Sequence, residues 1–417
     1  MEKKRSGNKT RILIILLLLC ACAAACIFIS GKYGVSAGPK PEIRAPEAAS
    51  GEESGEAEET DSAPEAVIFA VSDYQENADF DTPENNLRRL LEAVADDGVT
   101  PGAALICGDY TNDALLHDYQ LSPEDSIEEI RDVLDEEAPS VEDENTIFVQ
   151  GNHDRLTGSI SESGLHEFDD YLVYVLNTEN DFPWKQGVMP GCLKKVTKSS
   201  EDMKACFDSL IEEGETRPVI IAGHVPLHFT ARTSSRHTTG DNLYSSLIFD
   251  AVNEAASDLD IIYLFGHNHS KGWDCYLGGS CVYKAPGDKI LLPVFDEYRV
   301  TTDEFSEKTL NFTYMNAGYT GYYMNCGPGE YSSDPESRYR AADETLTCSV
   351  IEIYDDRIEI TRYDENGQHD TGSAGEADPY KGGIDKELIG PEYYSVKEAD
   401  RAVIERKSAA DASDADI

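Results

Sequence analysis

The stretch Thr146-Ile147-Phe148-Val149-Gln150-Gly151-Asn152-His153-Asp154 joins a short apolar run to a cluster of polar side chains. An uncharged apolar run of this length is typical of a strand that is buried on both faces of a sheet. The amide, imidazole and carboxylate that follow it are metal ligands or groups for acid–base chemistry. The stretch therefore predicts a buried strand that ends at a functional site.

The same arrangement recurs four more times, with polar residues at the end of an apolar run. These residues are Asp73 and Gln75 after run 66–71, Asp109 after 103–107, His224 after 219–222, and His267 and His269 after 261–265. Segments with helical periodicity separate the runs, and this alternation is typical of an α/β sheet. Because ligand sites in such sheets gather at the carboxyl ends of the strands, we expect the five clusters to meet at one edge.

The later part of the chain has a different pattern, typical of antiparallel strands. The runs concerned are 289–294, 309–315, 346–354 and 357–363. Asp355-Asp356 between the last two is a candidate hairpin turn. Together these runs predict a second sheet packed against the first. Beyond Asp364 the chain becomes polar, and residues 365–417 are predicted to form a tail that is partly disordered.

The start of the chain combines basic residues with an uncharged apolar run, residues 12–29. A run of about 18 apolar residues is close to the minimum that spans a bilayer, and the basic flank would stay in the cytoplasm. A cleaved secretory signal is one alternative, because Ala21-Cys22-Ala23 offers small residues. A lipoprotein anchor at Cys22 is another. All three export the rest of the chain, and the preferred prediction is a single-pass protein of the cell membrane.

Composition sets the remaining boundaries. Residues 31–64 are rich in Gly, Ala, Ser, Pro and Glu and lack a hydrophobic period, which predicts a disordered acidic linker between segment 1–30 and a folded domain at 65–364.

The formal net charge of −45 argues against general binding to nucleic acid or anionic lipid by the folded part. A phosphate ester stays possible as substrate, because bound divalent cations reverse the local field.

The candidate ligands mix carboxylate, amide and imidazole groups, a set that suits zinc, manganese or iron better than calcium or copper. The seven are Asp73, Gln75, Asp109, Asn152, His224, His267 and His269. They are too many for one tetrahedral ion and fit two divalent ions, about 3.5–4 Å apart, that share a bridging carboxylate. A hydroxide held by such a pair attacks phosphorus in line with the leaving group.

The five segments resemble, in order, the motifs of the calcineurin-like metallophosphoesterase family. Its pattern is Asp-x-His, Gly-Asp, Gly-Asn-His-Asp/Glu, Gly-His and Gly-His-x-His. The resemblance covers residues 66–363 and implies an α/β fold, a four-layer αββα sandwich of two mixed sheets. It also implies a metal-dependent enzyme that hydrolyses a phosphomonoester or a phosphodiester. With the N-terminal segment, the expected protein is an exported, membrane-tethered phosphoesterase.

The resemblance also implies a role for each residue. One ion would be bound by Asp73, Gln75, Asp109 and His269, and the other by Asp109, Asn152, His224 and His267, so that Asp109 bridges them. His153 would donate a proton or a hydrogen bond to the leaving-group oxygen, and Asp154 would orient its ring.

Gln75 departs from the family pattern, because most members have histidine at this position. An amide oxygen is a poorer ligand for zinc or iron than an imidazole. Gln75 therefore either binds its ion weakly or holds a water that does so. The departure also motivates an alternative function, a catalytically inactive phosphoesterase-like module for binding or scaffolding at the cell surface.

Overall fold

The structure is a computed structural model. It describes residues 62–75, 82–111, 122–183, 191–227, 230, 244–267, 283–296, 299–320, 346–364, 367–368 and 401–407. All of these belong to one unit, Asp61–Ile417. The predicted N-terminal segment, nearly all of the predicted linker and most of the predicted tail lie outside the described residues. Among the helices that are described, none is both long enough and apolar enough to cross a membrane.

The described residues contain four α-helices and fifteen strands. The helices are α1 (Thr82–Asp96), α2 (Pro123–Glu137), α3 (Cys192–Glu213) and α4 (Ser245–Ala255). The strands are β1 (Ala66–Val71), β2 (Ala103–Ile106), β3 (Thr146–Phe148), β4 (Gly164–Glu167), β5 (Leu172–Leu176), β6 (Val219–Gly223), β7 (Ile261–Phe265), β8 (Tyr283–Lys284), β9 (Lys289–Asp296), β10 (Arg299–Thr309), β11 (Thr313–Asn316), β12 (Cys348–Ile353), β13 (Arg357–Asp364), β14 (Gly367–Gln368) and β15 (Arg401–Glu405).

Two mixed sheets form the centre of the fold. The first sheet has the order β14-β13-β12-β1-β2-β3, with β15 also paired to β13, and the second has the order β4-β5-β6-β7-β11-β8. Strands β1, β2 and β3 are parallel to one another, as are β5, β6, β7 and β11. The carboxyl ends of β1, β2, β3, β6 and β7 carry the predicted ligands. The α/β class and the two mixed sheets are therefore as predicted.

The two faces of each sheet are both buried, which explains the continuous apolar runs. In β1, Ile68 and Ala70 face a cluster between the sheets that also contains Val173 and Ile220 of the second sheet. Phe69, on the other face, packs with the apolar sides of α1 and α2. The outer face of the second sheet packs in the same way against α3 and α4. The layers thus run helices, sheet, sheet, helices.

The ends of the helices follow local rules of capping. Ser122 caps α2 by accepting a hydrogen bond from the Asp125 amide, while the Asp125 side chain accepts one from the Ser122 amide. Pro123 occupies the first turn, where a missing N–H costs nothing. Gly214 follows the last residue of α3 and caps it, with a φ of 72° in the left-handed conformation that glycine adopts without strain.

The later strands do not form the second sheet together, so that prediction is wrong. Strands β12 and β13 extend the first sheet beside β1, β11 joins the second sheet parallel to β7, and β9 pairs with β10 in a separate ribbon. Strand β15 pairs with β13 beyond the predicted domain end at residue 364. Periodicity shows which side chains are buried, but it does not show which strand edge is available for pairing.

Candidate metal centre

The predicted ligands follow strands of both sheets. Asp73, Asp109 and Asn152 follow strands of the first sheet, whereas His224 and His267 follow β6 and β7 of the second. Main-chain hydrogen bonds join the loops: Asp73 N to Gly108 O at 2.9 Å, Gln75 N to Asp109 O at 2.8 Å, and Gly266 N to His224 O at 2.9 Å. His269 lies outside the described residues, so its predicted role stays a prediction.

Three of the predicted ligands form the centre of the site. The ligand atoms of Asp109, His224 and His267 all lie within 4.8 Å of one another, and all three residues are buried. Asn152 joins them, because its Oδ1 is 3.1 Å from Nε2 of His224. Asp73 is tied to the same group, since its Oδ2 accepts a hydrogen bond from the His267 amide at 2.9 Å.

The ring of His224 shows why the group fits a cation. Its Nδ1 is 2.7 Å from the Cys107 carbonyl oxygen, which can only accept, so Nδ1 carries the hydrogen. In the neutral ring Nε2 then presents a lone pair. That lone pair faces Oδ2 of Asp109 at 3.2 Å and Oδ1 of Asn152 at 3.1 Å. Three electron-rich atoms converge, and a proton or a metal ion between them removes the repulsion.

The charges of these residues are strongly coupled. Burial lowers the pKa of His224, but the Asp109 carboxylate outweighs burial and the net effect raises that pKa to about 9. For Asp109 burial has the opposite effect and raises the pKa, yet the nearby imidazoles of His224 and His153 bring it below its usual range. Without a metal ion, the site therefore stabilises a protonated His224 beside an ionised Asp109.

Metal binding at His224 is expected to release a proton. Since the pKa of His224 is about 9 without metal, the ring is protonated at pH 7, and an ion has to displace that proton. We expect apparent affinity to rise about tenfold per pH unit up to about pH 9 and then to level off. Calorimetry in two buffers of different ionisation enthalpy measures the release. A His166→Gln variant, which removes a histidine outside the motifs, is the control and should release as many protons as the parent. Binding to the parent without proton release at pH 7 would contradict the expectation.

Backbone strain is concentrated at the predicted ligands. Among the described residues other than glycine, a positive φ occurs at Asp73 (57°), Gln75 (48°), Asp109 (60°) and His267 (68°) and nowhere else. Side chains other than glycine rarely adopt this region, and such strain persists only where surrounding contacts hold it, often at functional sites. The strained backbone thus lowers the local stability of the loops, and it sets the direction of these side chains.

Gln75 fits the role of a ligand. It is only 1% exposed, and its Oε1 accepts no hydrogen bond from any described residue. A buried carbonyl oxygen without a donor costs about 1–3 kcal/mol, which a bound cation offsets. The residues present therefore fit a metal centre.

The glycines of the motifs are required by close packing of the loops. A side chain at Gly108, whose φ is 87°, would place its Cβ 2.6 Å from Gly151 N and 2.9 Å from Nδ1 of His224. A Cβ at Gly266 would lie 2.8 Å from the Cβ of Ser72 and 2.9 Å from the Cys107 carbonyl oxygen. Only glycine lets the loops of the two sheets approach this closely.

His153 lies at the same site, with its side chain 14% exposed. Its amide donates to Oδ1 of Asp109 at 2.9 Å, and its ring Nε2 is 3.9 Å from Oδ2 of the same carboxylate. A partly exposed imidazole beside the buried predicted ligands can reach an atom of a bound substrate. The position is compatible with the predicted role in assisting a leaving group.

Asp154 has contacts that differ from its predicted role. Its carboxylate accepts hydrogen bonds from the amides of Asp109 at 2.8 Å, Tyr110 at 2.9 Å and Gly151 at 2.8 Å. None of its described contacts reaches the ring of His153. Asp154 therefore joins the loop of Asp109 to the loop of Asn152. This role could not be predicted, because the sequence does not show which amides will donate hydrogen bonds to a carboxylate.

Other residues that support the site were not predicted. Ser72 donates from Oγ to the Cys107 carbonyl at 2.7 Å, the same oxygen that fixes the ring of His224. The Cys107 thiol itself is buried, and burial raises its pKa far above the usual value, so it is no nucleophile. Gln150 and Asn177 form a buried contact between the sheets. In the sequence, Ser72 could have been identified by its position next to the predicted ligand Asp73. Nothing in the sequence identifies Asn177.

Residues 67–271 match the model of the calcineurin-like phosphoesterase family. This domain belongs to that family. The phosphoesterase domain thus spans the five motifs up to and including His269, and the family prediction is confirmed.

Solved structures include similar chains at low sequence identity. A dimetal phosphatase from Danio rerio is 11% identical with a TM-score of 0.41, and the match covers 73% of this chain and 98% of that one. Purple acid phosphatase PPD1 from yellow lupin (Lupinus luteus) seeds is 10% identical with a TM-score of 0.44, covering 82% of this chain and 54% of the lupin chain. No curated protein matches the sequence.

Proposed function

We propose that this protein is a dinuclear metal-dependent phosphoesterase that hydrolyses a phosphomonoester or a phosphodiester. One observation carries the proposal: Nε2 of His224 faces the oxygens of Asp109 and Asn152 in a buried site of a phosphoesterase-family domain. These atoms repel one another while His224 is neutral, so the site takes up either a proton on His224 or a metal cation.

The ligand sets proposed for the two ions share Asp109. Asn152, His224 and His267 complete one set, and Asp73, Gln75 and His269 complete the other. Divalent ions bound there would act as Lewis acids on a phosphoryl oxygen and would lower the pKa of water. Mixed oxygen and nitrogen ligands favour manganese, zinc or iron, and the amide oxygen of Gln75 makes its set the less suited of the two to zinc.

The chain's own residues divide the remaining work. Asp109, held by Asp154 and by the His153 amide, provides the shared negative charge of the centre. His153 donates a proton or a hydrogen bond to the oxygen of the leaving group, which otherwise departs as an unstable anion. The buried surroundings of His224 and His267 strengthen these electrostatic interactions, because they exclude water.

The proposal includes a location outside the cytoplasm, with residues 12–29 as a membrane tether. It is supported by the basic flank and by the uncharged apolar run. In untreated cells the full-length chain should be found in the membrane fraction, and protease added to intact cells should digest the catalytic domain. A shortened chain in the medium would indicate secretion, a lipid-modified Cys22 would indicate a lipoprotein, and a protected chain in the soluble fraction would contradict export.

The activity is tested by removing and restoring metal. The full chain, purified in detergent and stripped with a chelator, should not hydrolyse aryl phosphate monoesters or diesters. Mn²⁺, Zn²⁺ and Fe²⁺, supplied separately, should restore hydrolysis to different extents. A protein that binds ions yet hydrolyses no ester in a broad panel would favour the alternative of an inactive binding or scaffolding module, which Gln75 motivates. A protein that binds no ion would overturn the proposal.

A further inference from the structure

The candidate centre lies across the seam between the two sheets. Asn152 follows a strand of the first sheet, and His224 follows a strand of the second, yet their polar atoms are 3.1 Å apart. A shift of one sheet against the other would separate them. Side-chain contacts that cross the seam next to the ligands therefore control the geometry of the site.

One such contact joins Asn177, just after β5, to Gln150, just after β3. Oδ1 of Asn177 accepts a hydrogen bond from the Gln150 amide at 2.8 Å, and Asn177 is 1% exposed. Its Nδ2 donates to the Ser161 carbonyl at 2.9 Å, which fixes the orientation of the amide group. The side chain of Asn177 thus serves as the hydrogen-bonding partner of Gln150, at the point where the pairing of β3 with β2 has ended.

The same turn after β5 holds the rest of Gln150. Thr178 donates from Oγ1 to the Gln150 carbonyl at 2.7 Å, and the amide of Glu179 donates to Oε1 of Gln150 at 2.9 Å. Nε2 of Gln150 donates to the Asp154 carbonyl at 3.2 Å. The main chain and the side chain of Gln150 are therefore both fixed from the second sheet.

This anchoring affects the segment that carries Asn152 and His153. Gln150 precedes it, and Asp154, which Gln150 contacts, follows it. Between these two points Asn152 faces His224, and the His153 amide contacts Asp109. The positions of both functional side chains are thus set at both ends of a very short loop, and one end depends on Asn177.

We infer that Asn177 is a positioning residue that holds Asn152 and His153 against the ligands of the second sheet. The inference rests on the proposed function, because the positioned groups are a metal ligand and a proton donor. It adds a residue that no motif contains. Outer-shell partners that contact a metal ligand directly commonly affect affinity or activity 10- to 100-fold, and Asn177 acts one step further away, through Gln150, so we expect an effect near the lower end, about tenfold.

The test compares Asn177→Ala with Ser163→Ala. Oγ of Ser163 accepts from Nδ2 of Asn177 at 3.2 Å, on the side of the amide away from Gln150. Ser163→Ala therefore removes this bond and the one that Ser163 donates to Asp181, and it leaves the contact across the seam in place. Calorimetric titration of each full-length variant with Mn²⁺, well below its melting temperature, is the primary readout, and kcat and KM on an aryl phosphate are the second.

Asn177→Ala should weaken the binding of Mn²⁺ about tenfold and should lower kcat more than it raises KM. Ser163→Ala should leave all three values close to those of the parent. If Asn177→Ala does not fold, Thr178→Val tests the same turn, since valine keeps the shape and removes the Oγ1 bond to the Gln150 carbonyl, while the longer bond from Thr178 N at 3.4 Å remains. That variant should change affinity in the same direction.

The outcomes distinguish this inference from the proposed function. A parent protein that binds Mn²⁺, together with an Asn177→Ala variant of equal affinity and kcat but lower melting temperature, would show a purely structural role and overturn the inference alone. Equal losses in Asn177→Ala and Ser163→Ala would also overturn it. A parent protein that binds no divalent ion would overturn both.

Discussion

Replacing Asp109 by asparagine is expected to abolish metal-dependent hydrolysis while the fold survives. Asparagine keeps the Oδ1 acceptor for the His153 amide, so the hydrogen bond at 2.9 Å is preserved. It removes the charge that the two proposed ion sites would share and places an N–H group or a neutral oxygen opposite Nε2 of His224. The loss should exceed about 100-fold, the upper end of what outer-shell partners contribute, because Asp109 is itself a proposed ligand.

The control for this variant is Asp132→Asn. Asp132 is an exposed carboxylate on α2, so its loss changes the net charge equally without touching the site. Metal content after dialysis, hydrolysis of an aryl phosphate and the circular dichroism spectrum should all match the parent in the control. Asp109→Asn should match the parent only in the spectrum. A variant that keeps both bound metal and turnover would show that Asp109 is no ligand.

Gly151→Ala is expected to have a comparable effect through packing alone. The added Cβ would fall on the main-chain nitrogen and Oδ1 of Asp109 and would lie 2.8 Å from its Cα. The obstacle is mainly backbone, which cannot rotate away, so the loops of Asp109 and Asn152 have to separate. Overpacking of this kind typically costs about 1–3 kcal/mol, and each kcal/mol lowers the melting temperature by about 2–4 °C in a domain of 150–250 residues.

Gly158→Ala is the matched control, seven positions further along the same loop region. A Cβ at Gly158 meets no atom within 4 Å, and its φ lies outside the left-handed region. That variant should retain the melting temperature and activity of the parent. Gly151→Ala should lose activity through displacement of Asp109, which metal titration detects as weaker binding. Parent-like activity in Gly151→Ala would show that the two loops are less closely packed than described.

The sequence was most informative where one physical cause acts on consecutive residues. Strand β1 is buried on both faces, so Ala66–Val71 is apolar throughout, and the runs before Asp109, Asn152, His224 and His267 share this cause. The rule that polar clusters meet at the carboxyl ends of strands then predicts that these residues lie close together. The glycines beside them were part of the motifs, but the reason for them, the close approach of Gly151 to Asp109, is visible only in three dimensions.

What the sequence could not predict depends on contacts between distant segments. Asn177 is an ordinary polar residue after a strand until the seam brings it to Gln150. Asp154 stands next to His153 in sequence, which suggested that it orients the ring, but the fold directs its carboxylate to the amides of Asp109 and Gly151. The pairing of β12 with β1 could not be predicted for the same reason, because the periodicity of a strand does not determine which strand it pairs with.

The central position of β1 in the first sheet has a consequence for biosynthesis. Its antiparallel neighbour is β12, with Ala66 opposite Ile353, so most of the domain is translated before that neighbour exists. Until then one edge of the nascent strand has unsatisfied amides and carbonyls, which invite pairing with other chains. Pairings between such distant segments also form slowly. Maturation of the enzyme should therefore be a late, post-translational event that benefits from chaperones.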